Sequence, residues 1–151
     1  MITRLVPPPV ALLIGIGLIF ALSEYVPGAR LALPGDAWVA GGLFALGLGL
    51  MLAAARALQQ AHTTINPIHP ERASHLVTSG IYRRTRNPIY LGDTIILLGM
   101  VFWFSAPLGL LVVAAFVGFI DRFQIRGEER ALSRLFGNGY ARYRQRVARW
   151  L

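Results

Sequence analysis

Asn87 followed by Pro88 is the sharpest chemical signal in the chain. Asparagine is a strong helix N-cap, and proline is favoured at the first helical position. A helix that starts here presents free N–H groups and the positive end of its dipole, which together hold anions. Arg83, Arg84 and Arg86 stand just before it. The plainer alternative is a capped helix with arginines beside it and no ligand. Glu128 and Glu129 make the second signal. Acids beside a helix N-terminus are stabilising in their own right, but a carboxylate there can also receive a cation. Asp93 and Asp121 lie inside apolar stretches. Acids at membrane depth point to function by default; the alternative is structural pairing with Arg122 or another arginine.

Other chemistries find no support in the residues. His62, His69 and His75 are spaced seven and six apart, which matches no zinc motif. The chain has no cysteine, which removes disulfides, thiolate metal sites and cysteine nucleophiles. Glycine-rich nucleotide loops of either common kind are absent.

The elements that must position these residues are set by an apolar composition. Of 151 residues, 55% are hydrophobic and only 15% charged, against a quarter charged in an average soluble domain. The net charge is +8, and all fifteen basic residues are arginine. Basic surfaces suit nucleic acids or anionic membranes. The apolar content decides for membrane lipids and against nucleic acid, with the arginines at the head groups. The absence of lysine points to a GC-rich bacterial genome, so the membrane expected is a bacterial inner membrane.

Uncharged runs locate the spans. Nineteen residues separate Arg4 from Glu24, and nineteen separate Asp36 from Arg56. Each matches the ~20 residues of a membrane-crossing helix. A signal peptide is the alternative for the first run, but the prolines at 7–9 open it like a helix start. Between Asp93 and Asp121 lie 27 uncharged residues, too many for one comfortable span. Read as a hairpin, they give spans over 88–104 and 107–124, broken at Ser105, Pro107 and Gly109. Charge asymmetry supports the hairpin. Five arginines lie in 56–86 and eight in 122–149, and a hairpin puts both groups on one side with Arg4. Only Arg30 then faces outward.

The fold class expected is therefore all-α: a polytopic membrane protein with four transmembrane helices and amphipathic cytoplasmic helices at the C-terminus. Residues 1–58 form two N-terminal spans, and 59–151 form the chemical core. The connection over 57–86 carries all three histidines and is long enough to be functional. The tail reads as two short helices broken at Gly137, Asn138 and Gly139. Leu132, Leu135 and Phe136 form one apolar face; Tyr140, Tyr143, Val147 and Trp150 form another. This aromatic stripe reads as packing against the spans.

Three separated motifs are then recognisable, in order and spacing. The first holds Leu76, Val77, Ser79, Gly80, Tyr82, Arg86, Asn87, Pro88 and Tyr90; the second is Glu128 with Glu129; the third holds Phe136, Gly137, Tyr140, Tyr143 and Val147. Over residues 66–151 the chain resembles the integral-membrane methyltransferases that include isoprenylcysteine carboxyl methyltransferases and phospholipid methyltransferases. The resemblance implies S-adenosylmethionine as methyl donor, bound at the cytoplasmic interface between the last spans and the tail. Carried over by position, it places Ser74, His75, Leu76, Val77, Tyr82, Asn87, Pro88, Ile89, Tyr90 and Glu128 around the cofactor. Asn87 stands where the family commonly has histidine, so an imidazole proton carrier is absent. Gln124 stands where the carboxyl methyltransferases have an arginine, with Arg122 and Arg126 on either side. The resemblance thus puts Gln124 and Arg126 at the substrate and implies an acceptor other than a carboxylate, such as an amine.

The chemistry of the donor agrees with these residue types. Its carboxylate suits a helix N-terminus flanked by arginines, its ammonium suits Glu128, and its sulfonium suits an aromatic face. Methyl transfer needs orientation and exclusion of water more than acid–base work. An amine acceptor must shed a proton, which favours Asp93 or Glu128 as its receiver. The expected catalytic set is Glu128, Arg122 and Asp93. The acceptor is lipid-like or amphiphilic. A non-catalytic protein of the same fold, binding cofactor or lipid, is the alternative.

Overall fold

The computed structural model describes residues 6–26, 28, 30–31, 35–61 and 74–151, and every regular element among them is helical. His62 and His69, with most of the long connection, lie outside the described residues. Helix α1 (Pro8–Tyr25) starts at a proline, where the missing N–H costs no hydrogen bond. Helix α2 (Asp36–Gln60) starts after Gly35, whose φ of 90° is the left-handed conformation that favours glycine. A short 3₁₀ turn (Gly80–Arg83) precedes helix α3 (Pro88–Trp103). The chain then reverses at Ser105, whose φ is 49°, and helix α4 (Gly109–Phe119) runs back. The break thus falls where the turn residues predict it.

The end of α4 departs from expectation. It does not stop before the tail but widens into a π-helical turn (Ile120–Ile125), which leads directly into α5 (Arg126–Arg146). A π turn takes more residues per turn, so it shifts the angular phase of everything after it. That shift governs where Glu128 and Glu129 point. Within α5, Gly137 has φ 46° and ψ −120°, which kinks the helix at the predicted glycine break.

Helices α2 and α3 touch backbone to backbone. The buried residues of α2 are Ala40, Gly47 and Ala54, spaced seven apart. A Cβ at Gly47 would lie 2.7 Å from the carbonyl oxygen of Gly92, and one at Gly99 would lie 3.3 Å from that of Ala40. The pairing is antiparallel, since the earlier residue of α2 meets the later one of α3. Small residues at such a seam allow the close approach that packs helices within lipid. Helix α1 covers the other side: Ile19 is fully buried, Gly15 faces Leu97, and Phe20 meets Phe104 edge-on with ring centroids 5.4 Å apart.

Two ends of the bundle are defined by polar ties. At one end, Ser105 donates to Asp36 Oδ2 at 3.3 Å, and its carbonyl accepts the Leu31 N–H at 2.8 Å. At the other end, Gln124 Nε2 donates to the carbonyl of Val6 at 2.9 Å. Between these ends the outer surface is apolar, with Leu13, Ile14, Phe44, Leu46, Leu52 and Leu111 exposed.

Helices α1 and α2 are long and apolar enough to cross a membrane. Helix α3, with 16 residues, and α4, with 11 before its π turn, are shorter than a full span. Of the four spans expected from the sequence, two therefore reach spanning length as regular helices.

Candidate active site

The polar end of the bundle gathers residues from α3, the π turn, α5 and the segment after it. Tyr90 lies in the first turn of α3, and its hydroxyl donates to Glu128 Oε1 across 38 residues of sequence. Tyr82 comes from the 3₁₀ turn; its carbonyl accepts the Tyr143 hydroxyl at 2.7 Å. Burial raises the Tyr82 phenol above its ordinary value, and Tyr143 and Glu128 add to the rise. Burial also raises Glu128, to about 7; the Tyr90 hydroxyl opposes that rise and Glu129 reinforces it. Glu128 is thus divided between acid and carboxylate at neutral pH, beside a tyrosine hydroxyl. Such a group can receive a cation or a proton.

Beside this pair lies a network of ions. Glu129 is buried, and Arg149 grips it at 3.1 Å (Nε to Oε1) and 2.6 Å (Nη2 to Oε2). The same guanidinium reaches Asp121 Oδ1 at 2.9 Å, and Arg86 Nη1 meets Glu129 Oε1 at 2.8 Å. Hydrogen bonds to Glu129 are the main cause that raises the Arg149 pKa. The segment after α5 is stitched to the start of α3 as well. The Arg149 carbonyl accepts from Asn87 Nδ2 at 2.9 Å and Thr85 Oγ1 at 3.2 Å, while the Ala148 carbonyl accepts the Arg86 N–H at 3.0 Å. One buried donor, Arg86 Nε, has no partner among the described residues.

Several expectations change in detail. Asn87 occupies the N-cap position of α3, but its side chain makes no capping bond; it ties down the segment after α5 instead. Asp121 is paired by Arg149 and by Arg126 at 3.4 Å, not by Arg122, which is exposed. The Gln124 amide is buried and engaged with Val6. Asp93 is 3% exposed and has no hydrogen-bond or ion-pair partner among the described residues. Pro88 is buried and Ile89 half-buried, in the same turn of α3 as Tyr90. Val77 is buried, and Leu76 packs on Tyr140, Tyr143 and Val147. Ser74 and His75 are exposed, with His75 Nδ1 3.2 Å from Ser74 Oγ. Arg149 and Thr85 escaped the sequence reading. The side chain of Arg149 meets partners 20 and 28 residues away, and Thr85 reaches the Arg149 carbonyl across 64 residues, although Thr85 Oγ1 also accepts the Asn87 N–H locally at 3.1 Å.

Apolar helices ending on a half-buried carboxylate bonded to a buried tyrosine, beside an arginine network, define a membrane-associated helical protein with a polar site at one end. The family model for phospholipid methyltransferases matches residues 36–139, and the chain belongs to that family of methyltransferases. The match opens at the first residue of α2 and so takes in α2, on which the sequence motifs are silent. An uncharacterized protein of Haemophilus influenzae is 43% identical over 63 residues, which cover all of that protein and 42% of this chain. No solved structure matches the chain.

Proposed function

We infer that this protein is an integral-membrane methyltransferase that moves a methyl group from S-adenosylmethionine to a lipid-like acceptor. In this reading α1 to α4 all lie in the bilayer, with the Glu128 end facing the cytoplasm. The observation that carries it is the Tyr90–Glu128 bond, formed where an apolar bundle ends. The family supplies methyl transfer as the class of chemistry. The exposed apolar faces of α1, α2 and α4 supply the reason for a bilayer.

The residues fit the donor. Glu128, with Tyr90 and Tyr82 beside it, suits the cationic groups. Arg86 Nε is an unpaired buried donor and suits a carboxylate oxygen. Leu76, Val77 and Ile89 are apolar and suit adenine. The donor supplies an electrophilic methyl on its sulfonium. This chain's residues orient, exclude water and manage a proton. Asp93 lies one turn beyond Tyr90 on α3, buried and without a partner among the described residues, and is the receiver for an amine acceptor's proton. Gln124 and Arg126 border the acceptor's side, with exposed Arg122 near the head groups. A 16-residue α3 rises about 24 Å, less than the ~30 Å hydrocarbon core, which is compatible with a first turn within reach of lipid.

The test is incubation of the detergent-solubilised protein with methyl-labelled donor and total membrane lipids. Labelled lipid that disappears with Glu128→Ala supports the reading. Donor binding without transfer to any lipid or amphiphile would leave the non-catalytic alternative in its place.

A further inference from the structure

A cavity of about 430 Å³ lies between the segment before α3 and the second half of α5. Arg83, Arg142 and Arg146 line it, with Thr78 and Tyr143, and Gly139 contributes bare backbone. No acid lines it. Near this end Arg86, Arg126 and Arg149 are paired with Asp121 or Glu129. Arg83, Arg142 and Arg146 have no ion pair among the described residues. Arg142 and Arg146 stand four apart on one helix face, where like charges repel. Arg83 adds a third charge from a distant part of the chain. An uncompensated convergence of this kind is stabilised by an anion, and planar guanidinium groups with a hydroxyl beside them match phosphate oxygens.

We propose that this cavity is a phosphate-binding site, built by Arg83, Arg142 and Arg146 with Thr78, that takes a phosphate ester at the level of the lipid head groups. The threonine hydroxyl donates to a phosphate oxygen. Tyr143 already donates to the Tyr82 carbonyl, so it fixes the cavity wall. That bond joins the cavity to the Tyr82–Glu128 side without sharing its carboxylate. A second arginine-rich cavity, about 340 Å³ and lined by Arg126, Arg130, Arg134 and Arg144, differs because Glu129 is in its lining. It serves as the internal control. The proposal goes beyond methyl transfer and does not require it.

Calorimetry on the full chain in neutral detergent tests it, with dihexanoyl phosphatidic acid, dihexanoylglycerol and inorganic phosphate as separate probes. The phosphate-bearing lipid should bind and the diacylglycerol should not. The double variant Arg142→Gln with Arg146→Gln should weaken binding about tenfold or more, as expected for losing charge-assisted contacts. The double variant Arg130→Gln with Arg134→Gln removes equal charge and should leave it within about twofold. Tighter binding of the lipid than of inorganic phosphate assigns the site to a head group; equal binding assigns it to free phosphate. Absence of binding by either phosphate probe, or equal weakening in both double variants, overturns the proposal. So does loss of S-adenosylmethionine binding in the Arg142, Arg146 variant, since these arginines would then belong to the donor's site. A chain that binds the phosphate lipid but transfers no methyl group keeps this site and loses the methyltransferase reading.

Discussion

Arg149 holds Glu129 through two parallel contacts, 3.1 and 2.6 Å, across 20 residues of sequence. It also reaches Asp121 in the π turn, and its carbonyl is held by Asn87 and Thr85 at the start of α3. One residue therefore ties α3, the π turn and α5 together. Glu129 neighbours Glu128, so the same grip orients the carboxylate that meets Tyr90.

Arg149→Gln should accordingly cost more than a surface substitution. It leaves a buried Glu129 with Arg86 alone and frees Asp121 to Arg126. Breaking a fully buried pair costs about 3–5 kcal/mol, and the partial exposure of Arg149 reduces that to roughly 2–3 kcal/mol. Arg149→Lys keeps the charge but loses the two-pronged grip, and should recover only part of the loss. Thermal unfolding in detergent measures both. Equal stability of Arg149→Gln and the parent chain would show that the network contributes nothing.

The seam between α2 and α3 gives a sharper contrast, because two glycines only two residues apart behave differently. A Cβ at Gly47 meets the Gly92 carbonyl oxygen and Ile96 Cγ1, each at 2.7 Å, whereas one at Gly49 meets nothing within 4 Å. Gly47→Ala must push the helices apart and should cost about 1–3 kcal/mol. Gly49→Ala should be neutral or stabilise by up to about 1 kcal/mol, because alanine favours helix. The same unfolding assay ranks the two, and the reverse order would mean the helices do not meet along this seam.

Glu128 predicts a pH dependence of definite sign. Its carboxyl ionises near 4.5 when free and at about 7 in the folded chain, chiefly because it is buried. Between those values the unfolded chain has lost the proton and the folded chain keeps it. Stability contributed by this group therefore falls as pH rises from 4.5 to about 7, by on the order of 2–3 kcal/mol in total. Glu128→Gln removes that fall and should be the more stable protein at pH 8. Binding runs the other way: donor affinity should rise between pH 6 and 8 as the carboxylate forms, and Glu128→Gln should flatten the rise. Tyr90→Phe removes a bond that favours the carboxylate, so its binding profile should shift to higher pH. Titration calorimetry over this range reads all three proteins; a parent profile flat from pH 6 to 8 contradicts the assignment.

How much of this was legible in the sequence depends on range. Helix starts at Pro8 and Pro88, the reversal at 105–109 and the kink at Gly137 follow from proline and glycine chemistry acting within a few residues. Glu128 and Tyr90 were both picked out, though by family motif rather than by any spacing that foretold their bond. The π turn was not legible, because Ile120 to Ile125 carries no residue that marks one. Asn87 misled in part: its type promises a cap, but the carbonyl of Arg149, 62 residues away, takes its amide. Gln124 stands at the acceptor by family position, and its hydrogen bond to Val6, 118 residues away, has no local signal. Both amides meet tertiary partners that nothing local reports.

The topology prediction rests on both ends of the bundle at once. Trp38 and Trp103 are 88% and 60% exposed, and both sit at the end where Ser105 meets Asp36. Exposed tryptophans mark a membrane–water interface. Arg30 pairs with Glu24 near that end, while twelve described arginines of 56–86 and 122–149 lie toward the other. By the positive-inside rule, that asymmetry predicts a cytoplasmic Glu128 end. Reporter fusions inserted after Ser105 and after Leu151 should then report opposite sides of the membrane. The α3–α4 reversal makes this a demanding test, since a single long helix over the same residues would also separate the two points. A third fusion after Gln60 separates the cases: with a hairpin it reports the same side as Leu151, and with one long helix the opposite side. Agreement between the Ser105 and Leu151 reporters would mean that α3 and α4 do not cross, and that only α1 and α2 anchor the chain.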